Sequence, residues 1–86
     1  MKIDYTGRQT EIPPEVRRVA EHKLAKVAKL LPSVTRAHVI LTADKRRQVA
    51  EVSVHSRQLD LAAVGVSTNQ RLSIASAIDK LIRQVV

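Results

Sequence analysis

The sequence predicts an α+β fold, a four-stranded mixed sheet with two helices packed on one face, in the order β-α-β-β-β-α. Two long segments place apolar residues at helical spacing, and four short segments are typical of strands. The first helical segment lies between two strands, which makes those strands parallel and joins them by a right-handed crossover. Short connections separate the later strands, so we expect antiparallel hairpins there. Both helices then cover one face of the sheet and leave the other face open.

The first two elements are a strand and a helix. The segment Lys2 to Thr6 alternates polar and apolar residues, and Gly7 is expected to end this strand. The pair Pro13-Pro14 suits the first turn of a helix, where a backbone N–H has no partner. We expect this helix to run from Pro13 to Leu31, because Pro32 stops it. Its apolar face comprises Val16, Val19, Ala20, Leu24, Val27 and Leu31.

Three strands and a second helix complete the predicted fold. The strands are expected at Thr35 to Ala43, Gln48 to Ser56 and Leu59 to Val66, and the first two of these alternate clearly. A charged turn joins the first pair, and two residues join the second pair. Asn69 is the expected cap of the second helix. The apolar stripe of that helix comprises Leu72, Ile74, Ala75, Ile78, Leu81, Ile82 and Val85.

Size, charge and composition limit the functions that the chain can perform. It has 86 residues and a net charge of +7, from 15 Lys and Arg against 8 Asp and Glu. This length accommodates a single domain, residues 1–86. Cysteine is absent and Tyr5 is the only aromatic residue, which argues against thiolate chemistry and against stacking of nucleobases on rings. The charge instead favours a polyanionic partner such as nucleic acid.

Enzymatic functions have no support in the sequence. Gly7 and Gly65 are the only glycines and stand alone, so there is no glycine-rich phosphate loop. No spacing of Ser, His and acidic residues indicates a nucleophile or a metal-binding helix. His38 and His55 are expected to face outward from neighbouring strands, but two histidines are fewer than the usual number of metal ligands. We therefore expect no catalytic residue, metal, cofactor or small-molecule substrate.

Basic residues are the most informative feature. Basic residues that lie one helical turn apart share a helix face. Each of the two predicted helices therefore presents a basic stripe on the helical side of the sheet. Without aromatic residues, such a surface is expected to contact phosphates and overall shape rather than base sequence. Ordinary solvated helix faces are the alternative, although they usually mix both signs of charge. The candidate RNA-binding residues are Lys23, Lys26, Lys29, Arg36, His38, Lys45, Arg71, Lys80 and Arg83.

Short stretches along nearly the whole chain match one known family. They are Ile3-Asp4-Tyr5-Thr6-Gly7, Glu11-Ile12, Lys23-Leu24-Ala25-Lys26, Ala37-His38-Val39-Ile40-Leu41, Ala50-Glu51-Val52 and Ala77-Ile78-Asp79-Lys80-Leu81-Ile82-Arg83-Gln84. In this order they resemble the hibernation-promoting factor family, which includes the ribosome-associated inhibitor and proteins named for sigma-54 modulation.

The resemblance implies a function, a partner and a site. Family members bind the decoding channel of the small ribosomal subunit, where messenger RNA and tRNA would lie, and silence idle ribosomes in stationary phase or stress. The implied partners are this subunit and its rRNA, in the cytoplasm, with no membrane. His38 matches a polar or aromatic strand position of the family, and Arg36 is added on charge alone. The basic helix positions of the family correspond to Lys23, Lys26, Lys80 and Arg83.

Three positions differ from the family, and two other functions stay open. Arg71 lies where the family has a tyrosine, and Val64 and Val66 replace polar residues on the open sheet face, where weak self-association is expected. A double-stranded RNA-binding domain shares part of the element order but needs basic residues at the start of its second helix, whereas Lys80 and Arg83 lie near the end. The second alternative is a protein–protein regulator of the kind that the sigma-54 name suggests.

Overall fold

The computed structural model describes residues 1–85 and contains four strands and two helices. Along the sheet the strand order is β1-β2-β3-β4, with β1 and β2 parallel and the other neighbours antiparallel. The predicted fold is confirmed, including the parallel first pair. In chain order the elements are β1 (Lys2–Arg8), α1 (Pro14–Leu30), β2 (Val34–Asp44), β3 (Arg47–Ser56), β4 (Asp60–Ser67) and α2 (Gln70–Val85).

The hydrophobic core lies between one face of the sheet and the two helices. Alternate residues of β2 and β3 are buried on that face, and a stripe of each helix packs against them. The opposite face carries the exposed alternate residues and is called the open sheet face below. Neither α1 nor α2 is long and apolar enough to cross a membrane. The fully buried side chains include Leu24, Val27, Val39, Leu41, Val52, Ile74, Ile78 and Leu81.

Local signals set the helix starts. Pro13 is the N-cap of α1, and its carbonyl accepts hydrogen bonds from the N–H groups of Val16 and Arg17 at 3.0 and 3.1 Å. Asn69 caps α2 as predicted, because its Oδ1 accepts hydrogen bonds from the N–H groups of Arg71 at 2.8 Å and Leu72 at 3.4 Å. The Asn69 side chain thus satisfies N–H groups that have no carbonyl partner within α2, whereas α1 has no side-chain cap.

Two expectations from the sequence were wrong. Gly7 does not end the first strand, since it pairs with Leu41 and β1 continues to Arg8. A side chain at Gly7 would meet the carbonyl oxygen of Thr10 at 2.2 Å, so the close return of the chain explains the glycine. Leu72 is 60% exposed and does not belong to the buried stripe of α2. In that turn, Ser73 occupies a core position instead.

Gly65 brings α2 into direct contact with β4. A Cβ atom at this position would lie 2.1 Å from the carbonyl oxygen of Ser73 and 2.6 Å from the backbone nitrogen of Ala77. The buried hydroxyl of Ser73 donates a hydrogen bond to the carbonyl of Gln48 at 2.7 Å, which fixes the same helix against β3. The helix therefore lies close over β4, and its side chains can reach the outer edge of that strand.

Tyr5 connects β1 to α1. Its hydroxyl lies 3.3 Å from the carbonyl oxygen of Arg17 and 3.5 Å from Oε1 of Glu21, and both atoms are acceptors for it. The Arg17 guanidinium lies 4.8 Å from the centre of the ring, a cation–π distance. Burial, followed by the negative charge of Glu21, raises the pKa of the Tyr5 hydroxyl, because both disfavour the phenolate.

Candidate nucleic-acid interface

The fold distributes the candidate basic residues over three surfaces. Arg36 and His38 lie on the open sheet face, and Lys45 lies in the turn between β2 and β3. The remaining candidates lie on the two helices and form what we call the helical surface. It comprises Lys23, Lys26 and Lys29 of α1 and Arg71, Lys80 and Arg83 of α2.

Two ion pairs join α1 to α2 within the helical surface. Nζ of Lys23 lies 2.8 Å from Oδ1 of Asp79, and the guanidinium of Arg71 lies 3.3 Å from Oε2 of Glu15. All four side chains remain at least a quarter exposed, so each pair contributes at most about 1 kcal/mol to stability. The main consequence is electrostatic, because each pair neutralises one of the candidate cations.

Lys80 is held against the edge of the sheet. Its Nζ donates a hydrogen bond to the carbonyl of Val64 in β4 at 2.8 Å. One turn further along α2, Nε2 of Gln84 donates to the carbonyl of Ala62 at 3.1 Å. Lys80 keeps its full positive charge there, because a backbone carbonyl does not neutralise an ammonium group. Its remaining N–H groups are available to another acceptor.

Four cations of the helical surface form no ion pair among residues 1–85. They are the exposed residues Lys26, Lys29, Lys80 and Arg83. Arg83 lines a shallow groove of about 290 Å³ on the outer side of α2, together with the exposed Leu72 and with Asp79. The helical surface therefore offers uncompensated charge in the C-terminal halves of both helices.

The open sheet face carries a concavity of about 440 Å³ with mixed charge. Arg36 lines it and makes no ion pair within the part of the chain that the structure describes. His38 shares a hydrogen bond of 2.8 Å with the Thr6 hydroxyl, and Nδ1 of His55 lies 2.5 Å from Oδ1 of Asp60. The two histidines thus have separate partners, and no group of three or more metal-ligating side chains occurs within residues 1–85.

The turn between β2 and β3 adds a third basic location. Asp44 and Arg47 close it with an ion pair of 3.3 Å. Lys45 has φ of 54°, in the left-handed region that few non-glycine residues adopt. Lys45 and Arg46 are both exposed at its tip. The side chains extend the positive charge beyond the end of the sheet.

Comparison with known proteins shows the family to which this chain belongs. Residues 3–86 match the model of a family described as Sigma 54 modulation protein / S30EA ribosomal protein. The chain belongs to this family. The match spans all six elements described above, so the resemblance drawn from short sequence stretches is confirmed.

Relatives of known name and structure agree with this assignment. A ribosome hibernation promoting factor from Klebsiella oxytoca is 26% identical over 85 residues, covering 99% of this chain and 90% of the relative. One from Azotobacter vinelandii is 24% identical over 86 residues, covering 100% of this chain and 80% of the relative. Among solved structures, the Protein Y N-terminal domain of Thermus thermophilus superposes with a TM-score of 0.88 at 26% identity, covering 99% of this chain and 96% of that one. A ribosomal subunit interface protein from Coxiella burnetii shows the same fold, with a TM-score of 0.90, 22% identity and coverage of 99% and 93%.

Sequence reasoning missed the residues that hold the basic ones in place. Nothing in the sequence marks Asp79 or Glu15 as the partner of a particular cation. Neither role as an ion-pair partner could be inferred, because each partner lies on the other helix and is 56 residues away along the chain. Nothing in the sequence indicates that Gln84 contacts β4.

Proposed function

We propose that this protein is a ribosome hibernation factor of the cytoplasm. It binds the decoding channel of the small ribosomal subunit through its basic residues and excludes messenger RNA and tRNA, which silences translation in stationary phase or stress. Residues 1–86 act as one ribosome-binding domain in this proposal. Membership of the S30EA family and the names of its curated relatives support the ribosome as the partner.

The distribution of cations over opposite faces is the observation that favours a channel. The molecule measures 36 × 21 × 17 Å along its principal axes. Lys26 and Arg83 lie on the helical surface, whereas Arg36 lies on the open sheet face and Lys45 at the end of the sheet. A single RNA duplex can contact only one of these faces at a time. A cleft walled by rRNA can contact several of these faces at once, so it would bind cations that a single duplex leaves without a phosphate partner.

The proposed mechanism is competition for space. The cations neutralise rRNA phosphates, and the folded domain then occupies the volume that messenger RNA and the anticodon arms of tRNA require. No bond is made or broken, so inhibition is reversible and follows occupancy. At equilibrium, this protein and initiator tRNA weaken each other's binding by the same factor.

A displacement experiment tests the proposal. Small subunits are loaded with messenger RNA and labelled initiator tRNA, and this protein is titrated in at constant salt. We expect tRNA release that tracks binding of the protein. A stable complex that holds both ligands would refute the blocking mechanism and favour a protein–protein regulator. Parallel sedimentation with large subunits and with naked duplex RNA separates channel binding from general affinity for duplexes.

A further inference from the structure

The outer edge of β4 has the properties of a strand that pairs with another strand. The segment Leu61–Val66 contains no charged residue, and Val64 and Val66 are 44% and 48% exposed. Backbone groups of alternate residues in an edge strand point away from the sheet, and here these are the residues whose carbonyls α2 contacts. An uncharged, β-branched edge of this kind is a template for association unless something covers it.

Two side chains of α2 cover this edge. Nζ of Lys80 donates to the carbonyl of Val64, and Nε2 of Gln84 donates to the carbonyl of Ala62, so two successive outward carbonyls are occupied. The contact at Gly65 makes this possible, because only a residue without a side chain lets α2 lie so close to β4. These contacts occupy the acceptors that a pairing strand would need.

We propose that the outer edge of β4 is a pairing surface for a second copy of this chain, and that Lys80 and Gln84 keep it closed in the monomer. An antiparallel pair about a two-fold axis at Val64 places Val64 opposite its own copy and Ala62 opposite Val66. About six backbone hydrogen bonds would form across such a pair. No like charges meet within the paired segment, and the charged Asp60 falls at its end, opposite Thr68 of the other copy. This contact uses the strand edge, which distinguishes it from association through the open sheet face.

A second copy fits this edge better than a general peptide would. An isologous contact needs a segment that is complementary to itself, and the uncharged stretch centred on Val64 satisfies this requirement. Paired in this way, the exposed side chains of Val64 and Val66 from both copies form one apolar row on the open side of the extended sheet. Each valine covers apolar surface that is solvated in the monomer.

Removal of the two caps tests the proposal. The double variant Lys80→Ala with Gln84→Ala keeps good helix formers at exposed positions, so the fold is preserved, as circular dichroism can verify. Analytical ultracentrifugation without RNA is expected to show self-association about tenfold tighter for each cap removed. Each removal frees one carbonyl of β4, which can then accept a hydrogen bond from the strand of the second copy, and one net hydrogen bond corresponds to about a tenfold change in affinity. The matched control is Arg83→Ala, which removes a positive charge from the same helix but no hydrogen bond to β4. It should associate as weakly as the unmodified protein.

A rescue variant identifies the surface. Adding Val64→Lys to the double variant places two ammonium groups side by side at the proposed two-fold axis and should return the protein to a monomer. In the dimer, amide exchange at Ala62, Val64 and Val66 should slow relative to the monomer. A double variant that stays monomeric at every concentration would overturn the proposal. A dimer that is insensitive to Val64→Lys would overturn it equally. All measurements are made without RNA, so the result is independent of the proposed ribosomal function.

Discussion

Neutralising Asp79 should strengthen binding to the small subunit. Asp79 is the only acid on α2, and its carboxylate holds Nζ of Lys23 at 2.8 Å. Asp79→Asn keeps the size of the side chain and its capacity to accept a hydrogen bond, but it removes the charge. Lys23 then becomes available to a phosphate on the helical surface, where Lys26 and Arg83 already have no acidic partner.

The magnitude follows from counterion release. One additional cation that neutralises a phosphate makes the slope of log K against log salt steeper by about 0.7 to 0.9. At roughly 0.1 M salt, release of one further counterion corresponds to about fivefold tighter binding. The cost to the fold is small, because Lys23 and Asp79 are 25% and 50% exposed and such pairs contribute at most about 1 kcal/mol.

The assay measures the dissociation constant from small subunits across a salt series. The matched control is Asp60→Asn, which makes the same change in net charge on the open sheet face, where Asp60 contacts His55. We expect a steeper slope for Asp79→Asn than for Asp60→Asn. Equal behaviour of the two variants would mean that only net charge matters. No change in either would refute an electrostatic role for the helical surface.

Three further predictions concern the surface and the fold. Lys26→Ala with Arg83→Ala should flatten the slope of log K against log salt by about 1.4 to 1.8, because two phosphate contacts are lost. The control Arg57→Ala, in the connection before β4, should bind normally. Equal slopes for the two variants would exclude the helical surface as the binding site. Gly65→Ala should lower the free energy of unfolding in urea by about 1 to 3 kcal/mol, because its Cβ meets backbone atoms of α2; unchanged stability would contradict the close packing. Tyr5 has a raised pKa in the folded state, so the stabilisation by its neutral hydroxyl is fully present below pH ~10 and is lost as the pH rises above that value. Absorbance titration of this single tyrosine should show the raised pKa, and Tyr5→Phe should remove this part of the dependence of stability on pH. A titration midpoint at or below ~10 would contradict the prediction.

The element order was predictable because local patterns and chain topology agree. The alternation in β2 and β3 and the helical spacing in α1 each indicate one buried face, and the crossover through α1 makes β1 and β2 parallel. The errors have a common cause. Gly7 was interpreted as a strand end and Leu72 as a core residue from their neighbours in sequence. Contacts made after folding decide both positions: the chain returns against Gly7, and Ser73 takes the core position in the first turn of α2.

The candidate site was predictable in its charge but not in its arrangement. Residue types and helical spacing indicated the basic stripes, since both are local properties. They could not indicate which cations are neutralised, because the pair Lys23 and Asp79 depends on how α1 and α2 pack against each other. They also could not show that Lys80 reaches β4, because that contact depends on the absence of a side chain at Gly65.

The acids within the helical surface suggest how such a protein distinguishes its target from other polyanions. If every cation on this surface were uncompensated, the domain would bind any RNA strongly at low salt, because that interaction depends on charge and not on sequence. Glu15 and Asp79 reduce this general affinity and at the same time hold α1 beside α2. The uncompensated residues Lys26 and Arg83 on the helices and Arg36 on the opposite face then act together only on a target that surrounds the domain. Selectivity would come from the shape of the target, which is the property that an aromatic-poor surface can recognise.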